Sequence, residues 1–561
     1  MGAVRARPIP LAIGAVFFAQ IYFLQWHPAY PNPNEAIHIY LTRAIVEYRT
    51  FRVDGPMKRF GDVEDKSYFQ GHYYSNKAPG LAFAAVVPYS LVRMFGDMDM
   101  KTARHVLWLT VILIPSVLLL VAIWRFLAEM GLGDAERSLL ILAYGMGSLG
   151  YTFSTVLFSH QLAGVLAMAA FLAVRAVRRG KAGTMRLVVG GLLGGWAVIT
   201  EYPVAIPLFF TFVFLWAGPT WKRAWIFAAA ACAPVLLMIF YNVACFNHPF
   251  ETAYRYLPPG YFVDVKQGFF GVTAPKWAAF VGSFFGTSRG FFYLAPWLAL
   301  AIPGLFLLLR RREWRLEGVV VLGTLFGYAL FISSLSYWHG GGTAGMRYLT
   351  PLAVFLLPPI AELMRRVEQT GSLLLQALLR SLVVVSITLT VACSVPWPYV
   401  SPAYANPLPE ISLPMWRDLI LPSSLLEAAG LSLGASVCVF LLFAGAVLLS
   451  IAMGPPSWAW QRRMVHGSLV VAAATFAMLG AEGVNYQPAV QASKVRDRLE
   501  IARLVDHTGR RPALVEERRL LQTAKTTALG RAEKIRLGFL LALRGDVSGA
   551  LHWYREASRE R

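Results

Sequence analysis

Charged and imidazole side chains interrupt an otherwise apolar sequence at a few points, and these are the residues that could do chemistry. An ionisable group at membrane depth is costly and is a functional candidate by default. A carboxylate beside apolar surface can accept a proton from a hydroxyl group, whereas Lys and Arg bind phosphate oxygens. The candidates are Glu35, Lys77, His160, Glu201, His248, Arg289, His339 and Arg347.

Glu35 lies in the segment NEAIHIYLTRAIVEY (34–48), whose apolar residues recur with a helical period. Asn34 is expected to cap this helix, and the apolar face predicts a helix that lies along the membrane surface. An acid in the first turn complements the helix dipole. Glu35 could equally be a general base at the bilayer edge.

Lys77 lies in YYSNKAPGL (73–81), where an apolar run begins. A lysine at this position can extend to the interface and do nothing more. Tyr74 and Asn76 beside it favour a second interpretation, in which Lys77 binds a lipid phosphate as a point charge.

The loop SYWHGGGTAGMRYLTP (336–351) combines four glycines with Trp338 and His339 before them and Arg347 and Tyr348 after them. Glycines allow a ligand to approach the backbone closely. Tryptophan here could be an ordinary interfacial residue. The arginine that follows the glycines favours an anion or sugar pocket, whereas a P-loop is excluded because the Lys-Ser/Thr pair is absent.

Two further charged residues lie at the ends of predicted spans. Arg289 lies in GTSRGFFYLAPW (286–297) and Glu201 in ITEYP (199–203), and either one could be a structural anchor. His160 and His248 are isolated histidines, which are more often packing residues than ligands. No histidine–carboxylate spacing predicts a metal site, and the four cysteines show no paired spacing.

These residues must be positioned by membrane-spanning helices. The chain has 561 residues, of which 57% are hydrophobic and 15% charged, a balance typical of proteins with many spans. The net charge of +21 comes from Lys and Arg clustered in short loops, which fits the positive-inside rule better than nucleic-acid binding. The predicted spans are 8–25, 80–95, 105–127, 138–156, 160–175, 184–200, 203–218, 223–244, 291–309, 317–335, 348–364, 373–395, 430–452 and 465–482.

The basic loops predict the orientation. The segment MGAVRAR places the N-terminus in the cytoplasm, so that residues 26–79 form a first extracytoplasmic loop. The same rule places the chemical candidates and the C-terminal tail outside. Four predicted spans lie between the outer loop that ends near residue 79 and the basic loop that begins at residue 175, where an odd number of crossings is needed. We therefore expect 80–95, which Pro88 interrupts, not to cross fully.

The tail, residues 485–561, lacks long apolar runs and predicts a small helical region. The segment 537–557 resembles one tetratricopeptide unit with a Gly-Asp turn. It is either a helical appendage or a module that binds a protein partner.

Taken together, these motifs resemble the GT-C membrane glycosyltransferases, in the branch of the protein O-mannosyltransferases and aminoarabinose transferases. The matching residues are Pro33-Asn34-Glu35, Asn76-Lys77-Ala78-Pro79-Gly80 and the segments GMRYLTP and SRGFFYLAP. The resemblance covers roughly residues 8–450. It implies an all-α polytopic bundle of about 13 transmembrane helices within residues 1–484, in the cell (inner) membrane.

The resemblance implies sugar transfer, with inversion, from a polyprenyl-phosphate donor to an acceptor outside the membrane. The family motif has an aspartate where this chain has Asn34, so the catalytic base is expected to be Glu35. Lys77, with Arg347 or Arg289, is expected to bind the donor phosphate. No cofactor is required, and nothing in the sequence supports a divalent metal. The remaining residues expected to bind substrate are Tyr74, Asn76, His160, Glu201, Trp338, His339 and Tyr348.

Two other functions fit parts of the sequence. A transporter or flippase would also span the membrane many times, although no duplicated hydropathy pattern is found. A non-catalytic scaffold would explain Asn34. The sequence names neither the sugar nor the acceptor, which could be a protein, a lipid or a glycan.

Overall fold

The computed structural model describes residues 10–25, 32–219, 221–258, 268, 271–402, 404–455, 458–479, 520–524, 528–543 and 547–559. Within them the chain is mostly helical, as expected. The predicted boundary at 484/485 and the Gly-Asp turn at 545–546 lie outside the described residues.

The first half of the chain contains twelve named α-helices and one hairpin in the described residues. They are α1 (Leu11–Tyr22), α2 (Pro33–Tyr48), α3 (Asp54–Phe60), β1 (Lys66–Phe69), β2 (His72–Ser75), α4 (Gly80–Arg93), α5 (Met100–Leu107), α6 (Ile114–Glu129), α7 (Asp134–Met146), α8 (Leu149–Ser154), α9 (Ser159–Arg178), α10 (Met185–Thr200), α11 (Ala205–Trp216) and α12 (Ala224–Phe246).

The second half adds helices that differ widely in length. They are α13 (Trp277–Phe284), α14 (Phe291–Leu294), α15 (Ala301–Arg310), α16 (Arg315–Ser334), α17 (Thr350–Phe355), α18 (Leu357–Thr370), α19 (Leu373–Ser394), α20 (Leu413–Arg417), α21 (Leu425–Ala428), α22 (Leu433–Met453), α23 (Trp460–Leu479), α24 (Arg531–Leu543) and α25 (Val547–Arg559).

Six helical stretches among the described residues are long and apolar enough to cross a membrane, which indicates a multi-pass membrane protein. They are Met100–Glu129, Ser159–Arg178, Trp221–Phe246, Arg312–Ser334, Leu373–Ser394 and Leu433–Met453. Five apolar helices are shorter, among them α4, which contains Pro88. The predicted count of about 13 spans is not confirmed.

Three predicted spans are broken in the structure, so the prediction of single continuous helices there was wrong. Residues 138–156 divide at Gly147 because Ser148 is extended and caps α8. Residues 291–309 are broken before Pro296, whose ring cannot continue the helical hydrogen bonds. Residues 348–364 divide into α17 and α18 at Leu356.

The α2 helix differs from the prediction in two respects. Its cap is Asn32, whose side chain accepts the Asn34 N–H at 2.9 Å, and Pro33 is the first helical residue. Every residue from 34 to 44 is buried, so α2 does not lie along the membrane surface with one face exposed. Other parts of the protein pack around α2. Its amphipathic pattern therefore divides a buried apolar face from a face that is also buried but polar.

The helices α10 and α12 pack at close range because α10 carries the sequence GGLLGG (190–195). A Cβ atom at Gly191 or Gly195 would collide with the carbonyl oxygens of Phe227 and Ala231. Small residues permit such close helix approach in membranes. This contact fixes the position of α10, which ends immediately before Glu201.

The C-terminal helices α24 and α25 pack against each other and against residues of the segments 397–402 and 404–420. Their buried residues Leu537 and Leu540 share one apolar cluster with Trp397 and Tyr404. Arg536 forms an ion pair with Asp418 at 2.6 Å. The tail therefore contacts the bundle in the described residues.

Candidate active site

The β1–β2 hairpin brings an acid next to the predicted lysine. Because Lys66 pairs with Ser75, Asp65 lies opposite Asn76 at the end of the ladder. The Asp65 carboxylate accepts the Asn76 amide at 3.3 Å and lies 3.0 Å from the Lys77 ammonium. Asp65 and Asn76 are both buried, so the ion pair is shielded from water.

The α2 helix presents different residues on different sides. Asn34 and His38 are four residues apart and share one face. The side-chain oxygen of Asn34 and both ring nitrogens of His38 are buried without a hydrogen-bond partner in the structure. The charges acting on His38 include Lys77, Glu201 and Asp65.

Glu35 faces another side of α2, rotated by about 100° from Asn34. Its carboxylate lies 3.2 Å from Arg104 and accepts the backbone N–H of Leu157 at 2.6 Å. Glu35 and Arg104 are both buried, and Tyr399 hydrogen-bonds to the pair. These contacts are those of a buried structural ion pair. The role of Glu35 as base stays a prediction, and it requires this ion pair to open.

The start of α9 meets the residue that follows α10. His160 Nδ1 lies 2.9 Å from a Glu201 carboxylate oxygen, and the Ser159 hydroxyl donates to the same oxygen. The His160 ring lies edge-on to Tyr348, with 5.8 Å between the centroids. The structure therefore joins two candidates, His160 and Glu201, that are 41 residues apart in sequence.

Arg289 holds the Gly-rich turn of the loop 336–351 in place through the backbone. Its guanidinium donates to the carbonyl oxygens of His339 and Gly341, the second at 2.7 Å. Gly340 and Gly341 have positive φ angles of 70° and 74°, which favour glycine. Arg289 is thus committed to the backbone of this turn, which differs from its expected role as a phosphate ligand, a role that stays a prediction.

Of the cations in this site, Arg347 makes the fewest polar contacts with the described residues. Its guanidinium lies 3.4 Å from the Tyr348 hydroxyl, and its Nε is buried without a hydrogen-bond partner among the described residues. Within the part of the chain that the structure describes, Arg347 forms no ion pair with a carboxylate. It lies near Lys77, since its charge contributes to lowering the Lys77 pKa.

We use the name polar cluster for His38, Asp65, Lys77, His160, Glu201 and Arg347. Burial lowers the pKa of Lys77 below its usual 10.5 despite the neighbouring Asp65. Burial, reinforced by the Lys77 charge, lowers the pKa of His38 to about 3, so this imidazole is neutral at physiological pH. A neutral histidine can donate one hydrogen bond and accept another.

Several predicted site residues lie outside the polar cluster. His248 is exposed, and Trp338 is buried against Gly282. Tyr74 packs in an apolar cluster with Tyr241 and Phe246. The His339 ring lies 4.2 Å from Tyr337, and burial lowers its pKa to about 3, with Arg289 and Arg347 adding to the effect.

The sequence analysis missed Asp65 and His38. A two-residue turn at Gln70-Gly71 between KSYF and HYYS predicts a hairpin, and its register would have placed Asp65 opposite Asn76. A helical projection would have placed His38 on the face of Asn34. No group of three or more His, Cys, Asp or Glu residues that could hold a metal occurs in the described residues.

Comparison with known proteins gives two kinds of result. No family model matches the sequence, and no curated protein matches it. Among solved structures, ArnT from Cupriavidus metallidurans in the apo state has a TM-score of 0.43 and 14% identity, over 88% of this chain and 78% of that chain. ArnT bound to undecaprenyl phosphate has a TM-score of 0.40 at the same identity and coverage.

The apo oligosaccharyltransferase of Archaeoglobus fulgidus has a TM-score of 0.41 and 12% identity, over 64% of this chain and 52% of that chain. The present chain therefore spans about half the length of that enzyme. Because the scores and identities are low, the proposals below rest on the residues of this chain.

Proposed function

We propose that this protein is a membrane glycosyltransferase that moves a sugar from a polyprenyl-phosphate donor to an acceptor on the extracytoplasmic side. The observation that carries the proposal is that the polar cluster holds two cations, Lys77 and Arg347, close to each other. Asp65 pairs with Lys77 and Glu201 with His160, whereas Arg347 forms no ion pair with a carboxylate in the described part of the chain. The polar cluster thus contains two neighbouring cations, and one of them, Arg347, is available to bind an anion.

Two neighbouring cations suit a phosphodiester donor from which a phosphate departs as the leaving group. A polyprenyl-phosphate sugar carries a single negative charge, and a second charge develops on the phosphate as the bond to the anomeric carbon breaks. Lys77 and Arg347 would stabilise that developing charge in a buried setting, where electrostatic interactions are strong. The acceptor oxygen forms the new bond to the sugar, and its proton passes to a base. A single displacement of this kind inverts the anomeric carbon.

Two residues are candidates for the base. Glu35 is the base expected from the sequence because Asn34 occupies the family's aspartate position, but both its oxygens are engaged by Arg104 and Leu157. His38 has two ring nitrogens without a hydrogen-bond partner in the described residues, and the negative charge that develops on the leaving phosphate would offset the burial and the Lys77 charge that lower its pKa. We favour His38 as the proton acceptor and Glu35 as the residue that positions α2.

An apolar groove offers a place for the lipid chain. It has a volume of about 610 Å³ and lies between α11 and α16. It runs from Ala205, four residues after Glu201, to Ser334, just before the Gly-rich loop. A lipid in this groove would have its phosphate near the polar cluster.

The decisive experiment incubates the purified full-length protein with undecaprenyl-phosphate and dolichol-phosphate sugars that differ in the sugar. We expect turnover or slow hydrolysis of at least one donor, and loss of that activity in Lys77→Ala. The matched control is Lys66→Ala, because Lys66 lies in the same hairpin but pairs with Asp62. Absence of turnover with every donor would contradict the proposal.

A transporter or flippase is the second candidate function, because α7 and α8 and also α17 and α18 are halves of broken helices. Movement of a lipid phosphate across vesicles without chemical change of the lipid would favour this alternative. Retention of lipid with neither turnover nor movement would favour a non-catalytic scaffold. A divalent metal, a soluble cofactor and a protein partner at the C-terminal helices are not part of the proposal.

A further inference from the structure

Five polar and aromatic side chains meet between the ends of the three helices α19, α22 and α23. They are Gln376 and Arg380 of α19, Arg462 and His466 of α23, and Trp458 before α23. The opposite end of α19 leads into the segment that contacts the Gly-rich turn. We name these five residues the α19 arginine cluster.

The α19 arginine cluster contains buried polar atoms that have no hydrogen-bond partner in the described residues. Gln376, Arg380 and His466 are 4%, 7% and 0% exposed. Among the described residues, neither amide atom of the Gln376 side chain has a hydrogen-bond partner, and the same holds for Nε of Arg462. Leaving such groups buried and unsatisfied is costly, and each unexplained case calls for a partner.

The charge of the cluster is positive and uncompensated. In the described residues, none of the three neighbouring arginines, Arg380, Arg462 and Arg463, forms an ion pair with a carboxylate. Glu136 and Glu368 influence Arg380 only as more distant charges. The missing partner is therefore anionic.

The remaining contacts fix these side chains in place. Arg380 donates to the carbonyl oxygen of Ile451 at 3.3 Å, and His466 Nδ1 lies 2.6 Å from that of Ala452. Trp458 stacks beneath the Arg462 guanidinium at 4.1 Å and lies 5.1 Å from His466. The last turn of α22 thus holds one side of the cluster and Trp458 the other.

We propose that the α19 arginine cluster binds the phosphate headgroup of an anionic glycerophospholipid. The guanidinium groups and the Gln376 amide donate to the phosphate oxygens. Leu449, Met464 and Val465 on the adjoining turns are exposed and apolar, and they contact the acyl chains. The positive-inside rule assigns this end of the helices to the cytoplasmic leaflet, where basic pockets between helices bind such headgroups.

The test is a native mass-spectrometry titration of the delipidated full-length protein with dioleoyl-phosphatidylglycerol, compared with dioleoyl-phosphatidylcholine. We expect one tightly retained phosphatidylglycerol per chain, bound about tenfold more tightly than phosphatidylcholine. Arg380→Gln should remove this preference. The control Arg186→Gln, which alters an exposed arginine in the first turn of α10, expected on the same membrane side, should leave it unchanged.

A second variant keeps the test decisive if Arg380→Gln does not fold. Gln376→Glu preserves the side-chain shape and supplies an internal anion four residues before Arg380, a favourable ion-pair spacing. It should abolish selective lipid retention and raise the melting temperature of the lipid-free protein. Equal retention of both lipids by the wild type would overturn the proposal. Competition by inorganic phosphate without any lipid preference would overturn it too, because the site would then bind free phosphate.

Discussion

At the residue scale, neighbouring positions on α2 have opposite environments. Asn34 and His38 face the polar cluster, whereas Glu35 faces Arg104. These three residues lie within five positions of the sequence. The motif alone does not show which of them points from the helix towards the polar cluster. The carboxylate that looks most reactive in the sequence is the one whose oxygens are already engaged.

We predict that Glu35→Gln lowers thermal stability and sugar transfer together. Removing one partner of a buried ion pair leaves Arg104 uncompensated, at a cost of about 3–5 kcal/mol. The melting temperature and the rate of transfer are the measurements. A variant that keeps the wild-type melting temperature and donor affinity but loses transfer would show that Glu35 is the base.

His38→Gln should have the complementary effect. Glutamine fills a similar volume and keeps hydrogen-bonding capacity but cannot take up a proton at neutral pH. We expect transfer to fall at least about 100-fold, the typical contribution of a general base, with donor affinity and melting temperature within experimental error. Full activity of this variant would exclude His38 as the proton acceptor.

The affinity for the lipid-phosphate donor should depend on pH through Lys77. Phosphate binding needs the charged ammonium, so affinity is complete below the pKa of Lys77 and is lost as the pH rises through it. Because burial lowers this pKa from 10.5, the loss should begin at a lower pH than for an ordinary lysine. Lys77→Arg, which remains charged, should remove the dependence, and an unchanged profile would contradict it.

At the element scale, close helix packing and a short hairpin position the polar cluster. The GGLLGG motif of α10 could be recognised in the sequence as a packing surface, but its partner α12 could not. The hairpin was likewise readable from its turn residues. The breaks at Gly147 and Leu356 were not, because continuous apolar runs look the same whether one helix or two half-helices form them.

Gly195→Ala should displace α10 from α12 and with it Glu201. The added methyl group would collide with a backbone carbonyl of Ala231, which cannot rotate away. We expect a loss of stability of about 1–3 kcal/mol, measured as a fall in melting temperature. Gly14→Ala is the control, because a Cβ atom there has no neighbour within 4 Å and alanine favours the helix.

At the scale of the whole molecule, composition alone predicted a multi-pass helical membrane protein, and six candidate spans in the described residues agree. The number of spans could not be predicted, since helices shorter than a bilayer can be either spans or half-helices. The burial of α2 could not be predicted from the sequence either. A surface helix and a helix enclosed by the hairpin, α4 and α5 share one amphipathic pattern.

The contact between tail and bundle should depend on the Arg536–Asp418 pair. Arg536→Asp and Asp418→Arg, made singly, should each accelerate proteolytic removal of the tail, because each places like charges together. The double variant should restore much of the wild-type resistance. Equal cleavage rates in all four proteins would show that the pair does not hold the tail.

The position of α24 and α25 has a consequence for the order of assembly during synthesis. Ala344 of the Gly-rich turn donates its N–H to Pro398 at 2.7 Å, and the segment around Trp397 packs against Leu537 and Leu540. The helices α24 and α25 thus pack behind the segment that holds the turn. A nascent chain can complete this packing only after the segment that contains Leu537 and Leu540 has been made, long after the turn itself.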